Sequence, residues 1–192
     1  MPMKYSVQKI IDYCYTNNLV SEGQIPWLRY SIEKRFATII GFIPFTILAV
    51  LLSNFWCSVW FIFGFSILRS RINGYHAKTL LGCILVSLIT ELFLLKVILP
   101  VLTPAIAVLI NMFCFIILIR FAPYNHPNMH YSADEILSLK TSIRRGLVML
   151  ALLLLTLLTM QLINSLRGLT LGIVLATYML SLAYISEWRK HK

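Results

Sequence analysis

Residues 80–119 read LLGCILVSLITELFLLKVILPVLTPAIAVLINMFCFIILI, and only Glu91 and Lys96 in this stretch carry a charge. A helix needs about 20 apolar residues to cross the hydrocarbon core of a bilayer, so the stretch is long enough for two. Pro100 and Pro104 interrupt it near its middle, and proline ends or kinks a helix. The stretch therefore predicts two membrane-spanning helices joined by a tight turn.

The remainder of the chain has the same apolar character. Of its 192 residues 59% are hydrophobic and only 12% are charged, whereas about 25% of the residues in a soluble domain are charged. The predicted fold class is therefore an all-α polytopic membrane protein with about six transmembrane helices. Their approximate positions are 36–53, 55–68, 80–97, 101–119, 146–164 and 169–186. The segment from Asn164 to Gly168 is expected to separate the last two.

The basic residues indicate an orientation. The net charge is +10, from 17 Lys and Arg against 7 Asp and Glu. If the N-terminus is cytosolic and six helices cross, all basic residues except Lys96 and Arg167 fall on the cytosolic side, as the positive-inside rule requires. We therefore predict a multi-pass cell-membrane protein with both termini in the cytosol. The positive charge is attributed to topology and to anionic lipid, and no nucleic-acid partner is expected.

One membrane domain is expected, with an amphipathic region over 1–35, a transmembrane bundle over 36–186 and a cytosolic tail over 187–192. Apolar residues recur with helical spacing over 5–17 and over 25–35, so two amphipathic helices should lie at the cytosolic leaflet. The N-terminus lacks the apolar core of a secretory signal, and no cleavage is expected.

The loop over 120–145 is the other substantial cytosolic segment. Ser132 and Glu135 have the spacing of a capping box, which predicts a helix that begins there. The basic residues near the end of that helix are expected to contact lipid headgroups.

A charged segment, RSRINGYHAKTLLGC, occupies 69–83 between the second and third expected spans. The cytosol keeps thiols reduced, so Cys83 should be a free thiol. His76 is able to take its proton and generate a thiolate nucleophile. Nearby cations and a helix N-terminus favour thiolates. Thr79 is expected to cap the third span, which places Cys83 in its first turns.

The spacing of His76 and Cys83 constrains the backbone between them. They are seven residues apart, which on one straight helix is about 10.5 Å along the axis. A hydrogen bond between them needs roughly 3 Å, so the segment must bend. Asn73 and Gly74 are where a bend is easiest, since both tolerate left-handed backbone angles. The alternative interpretation is that Cys83 is a small apolar packing residue and that His76 only contacts lipid headgroups.

The same segment resembles the signature of the accessory gene regulator B (AgrB) family, Gram-positive membrane endopeptidases that mature quorum-sensing peptides. The residues that match this signature are Arg69, Gly74, His76, Ala77 and Cys83. The chain length, the apolar runs and the Ala122-Pro123 pair fit as well. Family members often carry lysines and a proline shortly after that pair, whereas this chain has Tyr124-Asn-His-Pro-Asn128.

The resemblance implies a cysteine endopeptidase that needs no cofactor. Cys83 would attack a peptide bond near the C-terminus of a short amphipathic propeptide, releasing an acidic tail and leaving an acyl-thioester. An internal Cys or Ser of the propeptide would then close a thiolactone or lactone ring, giving the autoinducing peptide of a quorum-sensing system that controls virulence. The resemblance also implies a homodimer.

The supporting roles stay open at this point. Arg69, Arg71 and Lys78 are expected either to stabilise the oxyanion or hold the acidic tail, or to serve only as positive-inside anchors. Gly74 is expected to act through its backbone. A third group that orients His76 is expected by analogy with other thiol proteases. Its carboxylate candidates, each of which also fits an ordinary surface role, are Glu33, Asp134 and Glu135.

Other titratable residues give weaker signals. His126 and His130 are four apart, but Pro127 argues against a shared helix face, and no metal site is predicted. Glu91 is the only acid inside an expected span, and such acids often mark function. Because of Glu91, a small peptide transporter or export channel is kept as the alternative to a protease. A non-enzymatic membrane receptor or scaffold is the third interpretation. The other cysteines are interpreted as packing residues: Cys14, Cys57 and Cys114.

Overall fold

The computed structural model of the chain describes residues 2–72, 75, 80–125 and 132–188, and all regular secondary structure in these residues is helical. The helices are α1 (Pro2–Thr16), α2 (Ile25–Leu52), α3 (Phe55–Ile72), α4 (Leu80–Phe93), α5 (Leu99–Val101), α6 (Pro104–Phe121), α7 (Ala133–Thr159) and α8 (Ile163–Trp188). A 3-10 turn at Glu22–Gln24 precedes α2, and a π-helical turn at Leu94–Ile98 joins α4 to α5.

Five helical stretches are long and apolar enough to cross a membrane. They are Phe55–Ile72, Leu81–Val101, Pro104–Phe121, Ala133–Thr159 and Ile163–Trp188. The remaining expected span lies within α2, where the apolar part Ile39–Leu52 is shorter. The prediction of an all-α polytopic membrane protein is confirmed.

Two helices are longer than the sequence pattern predicted. The expected surface helix over 25–35 and the first span form the single helix α2, and the helix after Ser132 continues into the fifth span as α7. Residues 33–38 contain neither Gly nor Pro, so nothing ends α2 there. Gly146 lies within α7, where a single glycine costs only about 1 kcal/mol. The start of α7 is as predicted, because Ser132 Oγ accepts from the Glu135 N–H at 3.2 Å and Glu135 Oε2 accepts from the Ser132 N–H at 2.8 Å.

Two helix ends also differ from the prediction. Helix α3 extends to Ile72 instead of ending near residue 68, so Arg69 and Arg71 lie in its last turn. Cations at that position interact favourably with the helix dipole. The turn between the last two spans falls at 160–162, whereas the expected separator from Asn164 to Gly168 lies inside α8.

Helix α8 is the centre of the bundle. Its span is 67% buried, compared with 33% or less for the other four. It packs along α3 with main chain against main chain: a Cβ on Gly168 would meet the carbonyl oxygen of Cys57, and one on Gly172 would meet that of Phe61. Small residues spaced four apart allow such close approach of membrane helices.

Helix α6 packs on another face of α8. Asn111 Nδ2 donates to Thr170 Oγ1 at 2.8 Å and to Ala107 O at 2.8 Å, and this group is buried. Nearer the C-terminal end of both helices, Tyr184 Oη of α8 donates to Phe121 O of α6 at 2.7 Å. Helices α6 and α8 therefore run in the same direction. Helices α3 and α8 do so as well, because Cys57 lies next to Gly168 and Phe61 lies next to Gly172. The C-terminal ends of α3, α6 and α8 meet at one end of the bundle.

The remaining contacts fix α4 and the opposite end. A Cβ on Gly41 of α2 would lie 3.4 Å from Ile84 Cγ1, so α4 crosses α2 near its own beginning. At the far end, Arg167 Nε donates to Leu102 O at 2.6 Å and ties the start of α8 to the turn before α6. The predicted turn between Pro100 and Pro104 is confirmed. The beginning of α4 therefore lies at the same end of the bundle as the end of α3.

Candidate active site

Cys83 is the fourth residue of α4 (Leu80–Phe93). Thr79, the expected cap of this helix, lies outside the described residues. The Cys83 thiol is free and half-buried. The neighbouring Ile84 contacts α2 near Gly41, so Cys83 lies close to the crossing of two helices.

Several predicted site residues lie outside the described residues: Asn73, Gly74, His76, Lys78 and Thr79. The distance between the His76 imidazole and the Cys83 thiol therefore stays a prediction. Tyr75 is described, and it belongs to no helix. Its N–H donates to Met179 O of α8 at 2.8 Å, not to a carbonyl one turn earlier in α3. Helix α3 therefore does not continue through Tyr75 into α4 as one straight rod.

The two arginines of the motif bind groups of the protein itself. Arg69 Nη2 donates to Tyr75 O at 2.9 Å, so it holds the backbone of the residue that precedes His76. Arg71 Nε donates to Ser142 Oγ at 3.1 Å and links α3 to α7, while its Nη1 donates to Ile67 O at 2.6 Å. A role for either arginine toward substrate stays a prediction.

A hydrogen-bonded group holds the end of α3. The Tyr124 N–H donates to Ile72 O at 3.1 Å, which satisfies a carbonyl that the helix end leaves without an intrahelical partner. Tyr124 is only 5% exposed, and its Oη donates to Glu187 Oε2 at 2.6 Å. Its ring packs edge-on against Tyr184, with ring centroids 5.1 Å apart. The segment after α6 therefore joins α3 to the last turns of α8.

The sequence interpretation did not identify these residues as part of the site. It named Glu33, Asp134 and Glu135 as acids near the site and left Glu187 out. The Glu135 carboxylate instead caps α7, Asp134 is exposed, and Glu33 is half-buried on α2. An acid at the C-terminal end of an apolar helix is electrostatically unfavourable, and that signal singles out Glu187 in the sequence. No local pattern pairs it with Tyr124.

Positive charge gathers at this end of the bundle. The basic residues on the ends of α3 and α6 and on the first half of α7 are Arg69, Arg71, Arg120, Lys140, Arg144 and Arg145. Lys96 and Arg167 lie at the opposite end. Such a surface raises the local concentration of acidic ligands and attracts anionic lipid.

Glu91 lies away from this end of the bundle. It has no exposed surface, and neither carboxyl oxygen has a hydrogen-bond partner among the described residues. Ile84 of α4 lies next to Gly41 of α2. Glu91 is about two turns after Ile84, which for parallel helices places it beside the part of α2 about two turns after Gly41. Thr46 of that helix also has a buried hydroxyl without a hydrogen-bond partner among the described residues. The interior position favours a packing role for Glu91 over a transport pathway.

We expect the Glu91→Leu variant to be more stable than the wild type, by about 1–3 kcal/mol, because a buried polar group without a partner costs that much. Thermal unfolding in detergent measures the change, and peptide processing by the same sample should be unaltered. Glu91→Gln, which keeps a polar group of equal size, serves as the control and should gain little. A folded Glu91→Leu protein that has lost peptide processing would contradict the packing role.

His126 and His130, which the sequence interpretation rejected as a metal site, lie outside the described residues. Cys57 and Cys114 are buried in α3 and α6, and Cys14 is half-buried on α1. The positions of these three cysteines agree with packing roles.

Comparison with known proteins identifies the family. The model of the family described as accessory gene regulator B matches residues 7–182. No curated protein and no solved structure matches this chain. The family is linked to the processing of quorum-sensing autoinducer peptides. Because the match extends over nearly the whole chain and includes the motif at 69–83, the chain belongs to the accessory gene regulator B family.

Proposed function

We propose that this protein is a membrane-embedded cysteine endopeptidase that cleaves the C-terminal tail of a quorum-sensing propeptide through an acyl-thioester on Cys83. The observation that carries the proposal is the placement of this free thiol in the first turn of α4. It lies at the end of the bundle where the basic residues gather. The Tyr75 N–H is bound to Met179 O, and the family is linked to peptide processing.

In the proposed reaction His76 accepts the proton of the Cys83 thiol, and the thiolate attacks the scissile carbonyl carbon. The carbon–nitrogen bond breaks, the imidazolium returns its proton to the leaving amine, and the acidic tail departs. The N-terminal part of the propeptide remains bound to Cys83 as a thioester. An internal thiol or hydroxyl of the propeptide then attacks that thioester. A thiolactone or lactone forms, and the Cys83 thiol is restored.

The proposed partners follow from charge and amphipathicity. The basic end of the bundle suits the acidic tail of the propeptide and anionic lipid. By the positive-inside rule this end faces the cytosol, with both termini. On α1, Val7 and Ile11 are buried, while Tyr5 and Tyr13 are exposed. That exposed face suits an amphipathic propeptide leader at the leaflet surface. A homodimer is proposed from the family alone, and measurement of the mass in nanodiscs tests it.

The decisive experiment is to trap the thioester. Purified protein in nanodiscs is mixed with a synthetic propeptide that has an acidic tail, quenched in acid and analysed by mass spectrometry. We expect an adduct on Cys83 with the mass of the propeptide minus its tail, removable by hydroxylamine. A matched propeptide whose tail carboxylates are amides should form less adduct. Release of the tail with no adduct at Cys83 under conditions that preserve thioesters would contradict the proposal.

A further inference from the structure

We propose that the hydrogen bond between Tyr124 and Glu187 positions Tyr75, the residue directly before His76, and through it the histidine of the reaction. This inference rests on the proposed function. Tyr124 and Glu187 are then positioning residues, which act through the backbone and not by contact with substrate. Neither belongs to the sequence motif at 69–83.

The contacts form a closed circuit. From the end of α3, Ile72 O accepts the Tyr124 N–H at 3.1 Å, and Tyr124 Oη donates to Glu187 Oε2 at 2.6 Å. Helix α8 connects Glu187 to Met179, whose carbonyl accepts the Tyr75 N–H at 2.8 Å. The chain from Tyr75 back to Ile72 completes the circuit. Because α8 is one continuous helix from Met179 to Glu187, a shift of Tyr124 at one side of the circuit is expected to move Tyr75 at the other.

The tyrosine hydroxyl is the group that closes this circuit. The Tyr124 ring is buried and packs against Tyr184, whose own Oη donates to Phe121 O at 2.7 Å. A phenylalanine would keep the ring contact but would have no group to donate to Glu187. A carboxylate that accepts from a hydroxyl makes a shorter and stronger hydrogen bond than a neutral acceptor does, and 2.6 Å is in that range.

Helix stability does not account for Glu187. Its carboxylate lies in the last turn of α8, where the negative end of the helix dipole repels it. An acid at that place is explained by the specific hydrogen bond that it accepts. The backbone carbonyl of Tyr75 is bound as well as its N–H, since Tyr75 O accepts from Arg69 Nη2 at 2.9 Å. The backbone next to His76 is therefore held from α3 and α8 together.

The test compares Tyr124→Phe and Glu187→Ala with a matched control, Tyr178→Phe. Tyr178 is a partly exposed tyrosine of α8 that lies outside the circuit. We expect the first two variants to lower kcat for thioester formation about 10- to 100-fold with KM unchanged, since a displaced catalytic group costs rates of that order. Glu187→Gln keeps an acceptor and should restore most of kcat. The control should behave as wild type.

Hydrogen exchange followed by mass spectrometry supplies a readout that does not require activity. The peptide that contains Tyr75 should exchange faster in Tyr124→Phe and Glu187→Ala than in wild type and in Tyr178→Phe. Wild-type kcat together with unchanged exchange in both variants would overturn the inference, as would equal losses in Glu187→Gln and Glu187→Ala. If the wild type forms no thioester, the proposed function fails. The exchange rates then test only whether the hydrogen bond between Tyr124 and Glu187 holds the Tyr75 backbone: faster exchange in both variants supports this part of the inference, and unchanged exchange overturns it.

Discussion

Cys83→Ala is expected to abolish release of the propeptide tail, with a loss of at least about 10⁴-fold, because removal of a nucleophile that works with a base costs that much or more. No other described cysteine is placed to take over. Cys57 and Cys114 are buried in the bundle, and Cys14 lies on α1. Tail release is measured by mass spectrometry with purified protein in nanodiscs. His76→Ala should lose nearly as much, since nucleophile and base act as a unit.

Cys14→Ala is the matched control for this loss. It removes the other half-buried thiol of the described chain and should process the propeptide at the wild-type rate. Membrane insertion and thermal unfolding of Cys83→Ala should equal those of wild type, because the side chain is small and only half-buried. Tail release by a correctly inserted Cys83→Ala protein would mean that a different group attacks the peptide bond, and the proposed chemistry would be wrong.

The parts of the fold that local sequence determines were predicted from it. Apolar runs of membrane-spanning length identify the helices, and Pro100 and Pro104 identify the turn between two of them. Ser132 and Glu135 identify the start of α7. These features depend on residues within a few positions of one another. The same reasoning placed Cys83 in the first turn of α4.

The parts that depend on distant residues were not predicted. No local pattern shows that α7 continues from its cap through the span, or that Gly168 belongs to α8 and contacts Cys57. The pairing of Tyr124 with Glu187 joins positions 63 residues apart, and periodicity carries no information about it. Charge alone also does not separate a substrate contact from a backbone contact, as the hydrogen bond of Arg69 to Tyr75 O illustrates.

The Gly172→Ala variant is expected to have a large loss of stability, on the order of 3 kcal/mol, the upper part of the range for overpacking. The added Cβ would meet the Phe61 carbonyl oxygen and lie 2.8 Å from the Phe65 nitrogen. Both atoms are backbone, so no side-chain rotation relieves the overlap, and α3 and α8 must separate. Gly168→Ala should behave similarly, because its Cβ would meet the Cys57 carbonyl oxygen and lie 2.9 Å from Cys57 Cα.

Gly146→Ala supplies the matched control, since it is also a buried helical glycine but a Cβ there meets no atom within 4 Å. It should be more stable than the wild type by about 0.5–1 kcal/mol, the helix preference of alanine over glycine. Thermal unfolding in detergent measures all three variants. Equal effects at Gly146 and Gly172 would contradict the backbone contact of α3 with α8.

Because Met179 and Glu187 are carried on α8, separating these helices also shifts the Tyr75 backbone, so any folded Gly172→Ala protein should process the propeptide more slowly than the Gly146→Ala protein.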